Sequence, residues 1–548
     1  MKIEQIQGST VAPPNSSDRN ILTPKSTVLE HTLSLELLVS GDSKTMRRFL
    51  IAPAIALFFP LITSSLAQSQ AEKPGSIPLP AVEIQTDDRT VLMGADAARQ
   101  GDIKATDMGA GKTGWIESWS RDGDGLKWTV HVAKEGKFIV SAILESSGEG
   151  CAIDMAIDST KLHAPCGERR WNRVSLGSAQ LEEGTRTILL KSTGSTPLSK
   201  FFSLELVTPE VRDNLARLGQ QQASSTDWMV AAKYGLMFHW TSQTVPKRGA
   251  PKPYCDAVHD FDVGRFASMV SRMGAGFVVF TTSHAGFYFP GPSRAIDAIL
   301  PGRTCQRDLI GDLAKALGEH KIKLELYFHP GHDDGEWWQR THFDEDKTAY
   351  FDLWCRMIGE IGEQYGDRVA GFWFDDAAFT YYPFNPPWRK MTAAAKAGNP
   401  NRVISYNSWI LPKLNDFYEV FAGENAFSEV MITGDGYLPA GGTGQFIGGP
   451  QQGLHGQITA TINEDWGHFK ANGPIGPPKY PTDAMVEKIE DSMRRRNVPL
   501  LDVEVYQDGT VSPETFHMFQ TIRREVASAS ARRNHEAHAA PSRREDLF

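Results

Sequence analysis

The 548-residue sequence predicts an α/β protein, a (β/α)8 TIM-like barrel preceded by an all-β sandwich. Two patterns carry this expectation. Up to Val207 short stretches alternate apolar and polar residues between Gly/Asp/Asn turns, as half-buried antiparallel strands do. From Asp227 the grammar changes to continuous apolar strands separated by amphipathic helices, as a buried parallel sheet requires. Composition agrees, since 41% of residues are hydrophobic and the length exceeds one domain. With 57 Lys+Arg against 66 Asp+Glu the net charge is −9, which excludes nucleic-acid binding driven by global positive charge.

Taken in order, residues 1–45 are polar and featureless and read as an untranslated or disordered extension. From Met46 the chain has the three-part layout of a secretory signal peptide (46–67): Arg47-Arg48, an apolar run from Phe49 to Ile62, and small residues at Ser65 and Ala67. The run is too short and too rich in proline for a membrane span, so no integral span is expected after cleavage. Residues 68–80 are a Pro/Ser linker.

The sandwich is placed at 81–210, from LKWTVHVA, KFIVSAILES, TRTILLKS and SKFFSLELV. It reads either as a carbohydrate-binding module or as a structural sandwich packed on its neighbour. Cys151 and Cys166 bracket a strand-turn-strand pattern and are expected to pair in an oxidising compartment. Cys255, Cys305 and Cys355 lack C-x-x-C spacing and read as single buried thiols, not zinc ligands.

The barrel is placed at 225–530, with strands in GLMFHW, GFVVFTT, KLELYFH, VAGFWFDD, RVISYNSW, DFYEVFAG, QITATI and PLLDVEVY. Helices lie between them. In one, Val263, Phe266, Val270 and Met273 recur at helical spacing behind an Asp262 N-cap. Residues 531–548 read as a disordered tail.

A barrel presents functional groups at the C-terminal ends of its strands. His239-Trp240 end the first strand, His284 follows the second, and Tyr327, His329, His332, Asp333 and Asp334 follow the third. In GFWFDD, side-chain alternation puts Trp373 and Asp375 on one face and Phe374 and Asp376 on the other, so one aspartate faces the mouth and the other the helix layer. A carboxylate beside Trp suits glycoside hydrolysis, with Glu424 or Glu419 as the second carboxyl group. No phosphate loop, dinucleotide fingerprint or Gly-x-Ser-x-Gly elbow occurs, and no cofactor or metal is expected.

The stretches KYGLMFHWTSQTVP, FDVGRFASMVSRMGAGFVVFTTSHAGF, QRDLIGDLAKALGEHKIKLELYFH, VAGFWFDD, INEDWGHF and VPLLDVEVYQDGTVSP resemble, in order from Lys233 to Ser512, the family 29 α-L-fucosidases. The resemblance implies an exported exo-glycosidase that removes terminal α-L-fucose from glycans with retention, through a glycosyl-aspartate. It puts the nucleophile at Asp375, the acid/base at Glu424 in preference to Glu419, and sugar contacts at His239, Trp373 and Trp466; Trp240, His284, Tyr327, His329 and His332 are taken as sugar contacts from their place at the strand ends. Phe421 and Phe427 are expected to hold Glu424 in apolar surroundings that favour its proton.

This chain departs from the family at contact positions. It has His284-Ala285-Gly286-Phe287 where a second histidine is usual, and Asn407-Ser408-Trp409 where the fifth strand often carries Arg. HPGHDD (329–334) reads as replacement hydroxyl contacts, a surface turn or a metal site. The departures leave two rivals: the same barrel retuned to another sugar, and a carbohydrate-binding protein without catalysis.

Overall fold

The computed structural model describes residues 81–107, 113–120, 123–284, 286–377, 380–409, 411–424 and 438–539. The proposed extension, signal peptide and linker lie outside them. The sandwich has two sheets. One runs β1 (Val82–Ile84), β6 (Gly125–Val132), β11 (Gly184–Ser192), β8 (Ala152–Ile157), β9 (Thr160–Pro165), with β3 (Ala98–Gln100) also on β6. The other runs β10 (Trp171–Leu181), β7 (Gly136–Ser146), β12 (Leu198–Val207), β5 (Thr113–Glu117), β4 (Lys104–Asp107), with β2 (Thr90–Met93) on β12. Alternation decides what is buried: Leu126, Trp128, Val130 and Val132 of β6 share one core with Phe138, Val140, Ala142 and Leu144 of β7.

Eight parallel strands follow: β13 (Gly235–Phe238), β14 (Phe277–Ser283), β15 (Lys323–Phe328), β16 (Gly371–Phe374), β17 (Val403–Tyr406), β18 (Val420–Gly423), β19 (His455–Thr461) and β20 (Val498–Asp502). They pair in the order β17-β16-β15-β14-β13-β20-β19-β18, a nearly closed barrel. Each strand feeds two cores. Met237, Val279, Tyr327, Trp373, Val403, Val420 and Leu500 fill the inside, while Leu236, Phe238, Val278, Phe280, Leu326, Phe372 and Phe374 meet the helices. The expected helix forms over Val263–Met273, where the Asp262 side chain accepts from Arg265 N and Gly274, at φ 88, closes the C-terminus.

Between β17 and β18 no ladder forms among the described residues. One backbone bond crosses the gap, from Glu419 N to Ile404 O at 3.3 Å, and the Glu419 side chain adds to it: Oε2 accepts from Ile404 N at 2.6 Å, and Oε1 accepts from Ser224 N at 2.7 Å and from Lys396 Nζ at 2.5 Å. The sandwich packs on the chain just beyond this seam. Val91, Met93, Ile143, Trp171 and Phe202 share a cluster with Leu411 and Leu414, Arg89 pairs with Asp416 at 2.7 Å, and Val91 N donates to Asn385 Oδ1 at 2.6 Å.

Two expectations change here. Cys151 and Cys166 are paired as expected, but Cys255 and Cys305 also form a disulfide and only Cys355 is a free buried thiol among the described residues. Their sequence separation of 50 hid the pairing, because the helix Tyr254–Asp260 and the loop before Leu309 meet only in the folded barrel. The disordered tail was placed from residue 531, yet the final helix runs Pro513–Ala539, since its Ala- and Arg-rich sequence favours continued helix. No helix among the described residues is long and apolar enough to cross a membrane.

Inside the barrel, Glu325 stands beside Val279 and Gly371 in register, fully buried, with no hydrogen bond to either carboxyl oxygen among the described residues. A Cβ at position 371 would fall 2.8 Å from its side chain, so glycine makes the space for it. Burial pushes its pKa up to about 8. The folded state therefore holds a proton that the unfolded chain releases, and this stability contribution, full below about pH 4.5, is lost as pH rises through about 8. Glu325→Gln is expected to be more stable than the parent by a margin that grows across that window, read by denaturant unfolding at pH 5 and pH 8.5; a pH-independent margin would contradict it.

Candidate active site

The C-terminal ends of the strands enclose a cavity of about 410 Å³, within the size range of ligand pockets, lined by His239, His284, Tyr327, His329, His332, Asp333, Trp373, Asp375, Asp376, Trp409, Glu424 and Trp466. Asp375 continues β16, its N–H donating to Phe328 O at 2.9 Å. Three donors converge on its carboxylate: Tyr327 Oη on Oδ2 at 2.5 Å, and Asn407 Nδ2 at 2.7 Å and Asp376 N at 2.8 Å on Oδ1. Burial, reinforced by Asp375, drives the Tyr327 pKa far above its ordinary value, so this hydroxyl stays a donor. The Tyr327 ring stacks on Trp373, centroids 5.3 Å apart, and the Trp373 indole N–H is held by Gln457 Oε1 at 3.2 Å.

Asn407 Nδ2 also donates to Glu424 Oε1 at 2.6 Å. Its own Oδ1 accepts from Trp409 N at 3.0 Å, which orients the amide with both hydrogens toward the carboxylates. Asp375 Oδ1 and Glu424 Oε1 are thus no farther apart than 2.7 Å and 2.6 Å laid end to end, about 5.3 Å. Glu419, the alternative second carboxyl group, precedes β18 and is held by Lys396, Ser224 and Ile404 at the seam, away from the cavity. The apolar setting expected for Glu424 differs: Phe421 lies on the opposite face of β18 against Phe446, and Phe427 lies outside the described residues.

His239 Nδ1 lies 2.7 Å from Asp502 Oδ1 at the end of β20. Burial raises the Asp502 pKa to about 6 against the opposing pull of His239. His284 packs between His239, Tyr327 and His329, and burial, then the neighbouring His329 and His239, lower its pKa well below the usual value, so the ring is neutral at pH 7. Trp466 leans on His239, centroids 5.3 Å apart.

HPGHDD divides between roles. His329, His332 and Asp333 line the cavity. Asp334 caps the helix Gly335–Arg340 through Trp337 N, accepts from Phe287 N and pairs with Arg303, a structural task. His329 and His332 both turn Nε2 toward Asp376 Oδ2, at 3.4 Å and 3.6 Å, and His284, His329 and Asp333 form a second close group. Either group has metal-ligand chemistry, but Gly331 N donates to His329 Nδ1 at 3.2 Å, so a neutral ring carries its proton on Nε2, the atom a metal would need. That hydrogen bond fits a proton-linked cluster.

Two sequence assignments do not hold. Trp240 is buried in the outer core against Tyr254, Phe261 and Phe280, its N–H bonded to Gln507 O, because alternation along β13 turns it away when His239 faces in. Asp376 does not face the helix layer. The strand ends at Phe374, and a φ of 50° at Asp376 swings its side chain into the cavity. Asn407, Trp409 and Asp502 were missed as site residues, although Asn407 and Asp502 stand at strand ends, where barrels keep their chemistry.

A family model described as alpha-L-fucosidase matches residues 254–524, from the helix after β13 into the final helix. Over this span, just under half of its length, the chain matches the α-L-fucosidase family. The match supports a glycoside hydrolase; Asp375, Asp376 and Glu424 fall inside the matched span, and His239 lies before it. Similar solved structures include a Thermotoga maritima α-fucosidase in complex with a mechanism-based inhibitor, at 18% identity over 57% of this chain and 76% of that one, TM-score 0.40. The unliganded α-L-fucosidase AlfC from Lactobacillus casei is 18% identical over 56% of this chain and 98% of that one, TM-score 0.38. No curated protein matches this chain.

Because Asn407 donates to both Asp375 and Glu424, Asn407→Ala is expected to lower kcat/KM on a nitrophenyl glycoside by about 10- to 100-fold, the worth of hydrogen bonds to charged groups. Asp502→Asn, which disturbs the tautomer and tilt of His239, is expected to cost about tenfold or more by the same assay. Unchanged kinetics in either variant would remove that residue from the site's working parts.

Proposed function

We propose that this protein is an exported, retaining exo-glycosidase that releases terminal α-L-fucosyl residues from glycans. The observation that carries the reading is the Asn407 bridge, which keeps the two carboxylate oxygens no more than about 5.3 Å apart. Retaining glycosidases need their carboxyl groups about 5–5.5 Å apart, whereas inverting ones leave room for a water at about 6.5–9.5 Å. The spacing also argues against a carbohydrate-binding protein that has lost catalysis.

In this reading Asp375 attacks the anomeric carbon while Glu424 protonates the departing glycosidic oxygen. Glu424 Oε1 accepts from Asn407, so the proton it gives sits on Oε2. The resulting glycosyl-aspartate is hydrolysed when Glu424, now a carboxylate, takes a proton from water that attacks the same carbon and expels Asp375. Two displacements return the original configuration. Tyr327 and the Asp376 N–H hold the nucleophile, while His239, His284 and Trp466 line the space for the sugar.

Export is supported by the signal-peptide layout at 46–67 and by two disulfides, which persist in oxidising compartments. The mature chain is expected to begin at Gln68, checked by mass spectrometry of the exported protein.

Release of nitrophenol from its α-L-fucoside is expected for the mature protein, with α-L-fucose as the first anomer seen by NMR. Asp375→Asn is expected to lose about a thousandfold or more. Glu424→Ala is expected to be similarly impaired and to recover turnover with azide, which needs no general base. An inverted first product, or intact hydrolysis by Asp375→Asn, would defeat the mechanism.

A further inference from the structure

Trp466 lines the cavity from the loop after β19, and that loop stays tied to the one after β20 beyond the last ladder pair, Thr461 with Asp502. Ile462 N donates to Asp502 O at 2.8 Å, and Glu504 N donates to Asn463 Oδ1 at 3.3 Å. From there the Glu504 side chain carries the pairing. On one side of Trp466, Asp465 N donates to Glu504 Oε1 at 2.9 Å. On the other, His468 Nδ1 stands 3.5 Å from Glu504 Oε2, within ion-pair range, with its ring against Tyr506 at 4.9 Å.

One carboxylate thus clasps both feet of a turn, and Trp466 stands between them. Its N–H is held by Asp465 Oδ1 at 2.8 Å, so the indole follows wherever that foot is fixed. Gly467 lets the turn close: a Cβ there would fall 2.5 Å from the Phe469 ring and 3.0 Å from His239 O. The turn therefore lies against the backbone of His239, whose ring meets the Trp466 indole at 5.3 Å. Glu504 is itself 5% exposed and is not among the residues that line the cavity. Burial raises its pKa against the opposing pull of the Asp465 N–H, the mark of a carboxylate that costs free energy to keep inside. A costly group placed where it holds both feet of the turn points to control of the residue between them.

We propose that Glu504 is a positioning residue that sets the place of the Trp466 indole as a wall of the sugar cavity. The inference rests on the cavity being the sugar site of the proposed function, and it deepens that reading by naming what fixes one wall. Glu504 acts through Trp466 on how tightly the sugar is held, in ground state and transition state alike, and leaves the chemistry of Asp375 and Glu424 unchanged.

The test is a double-mutant cycle of Glu504→Asp, Trp466→Ala and the pair on nitrophenyl α-L-fucoside. Glu504→Asp keeps the charge and shortens the reach by a methylene. It is expected to raise KM about tenfold with kcat within about threefold of the parent, the split seen when binding common to ground and transition states is lost. Trp466→Ala should raise KM at least as much, and adding Glu504→Asp to it should change KM by less than about twofold. Glu504→Gln keeps the acceptor for Asp465 N and should bring KM back to within about threefold of the parent. In fluorotryptophan-labelled protein the fluorine resonance of Trp466, assigned by its loss in Trp466→Phe, should move in Glu504→Asp and return toward the parent in Glu504→Gln.

An unchanged KM in Glu504→Asp, a loss confined to kcat, effects that add in the double variant, a Glu504→Gln as impaired as Glu504→Asp, or an unmoved Trp466 resonance would overturn the proposal. Should Glu504→Asp fail to fold, His468→Leu, which loosens the other foot alone, takes its place in the cycle and in the fluorine measurement, with the same expectations and the same reversals. Absence of fucoside turnover in the parent would defeat the reading of function instead. The Trp466 resonance then decides: movement supports the positioning role, and none overturns it.

Discussion

The site depends on how the barrel closes. Seven of its eight strand junctions are backbone ladders, and at the eighth, between β17 and β18, a buried glutamate does the joining. Glu419 binds Ile404 N across the gap, while Lys396 and Ser224 N satisfy its other oxygen. Burial raises its pKa and Lys396 opposes the rise, so the pair is one of mutual need: either partner alone would be an uncompensated buried charge. Asn407 follows β17 and Glu424 follows β18, so the seam sets how far apart these two residues stand. Where a ladder would impose strand spacing, one residue does, through its backbone N–H and its carboxylate, and the separation of Asp375 and Glu424 inherits its geometry.

The sandwich enters the same argument from outside. Leu411 and Leu414 lie in the segment between β17 and β18 and are buried against Val91, Met93, Ile143, Trp171 and Phe202 of the sandwich. Arg89 and Asn385 add polar ties between the two layers. A loop that would otherwise run over the surface is clamped, and it begins with Asn407, Ser408 and Trp409 at the cavity. This gives the sandwich a structural task independent of any glycan it binds.

Much of the architecture was legible because burial leaves a periodic mark. Period-two alternation located the sandwich strands, continuous apolar runs located the barrel strands, and Asp262 announced its helix. The site was legible in part. Asp375, Glu424, His239, His284, Tyr327, His329, His332, Trp373 and Trp466 all reach one cavity, since each ends a strand or follows one. Trp240 and Asp376 exchanged sides relative to expectation: strict alternation turned Trp240 outward, and a left-handed residue broke alternation at Asp376. No local pattern announces a positive φ at a non-glycine residue.

The sequence by itself determined the order of strands and helices, the two-layer character of each strand and the ends at which polar residues collect, because these follow from which side chains avoid water at a given period. Only the tertiary structure decided that Asn407 spans Asp375 and Glu424, that Asp502 holds His239, that Glu419 belongs to the seam and that Cys255 meets Cys305. Such partners lie on different strands or loops, tens to hundreds of residues apart along the chain. Hydrogen bonds and disulfides depend on distances and directions of a few ångströms, and those exist only after the barrel has closed.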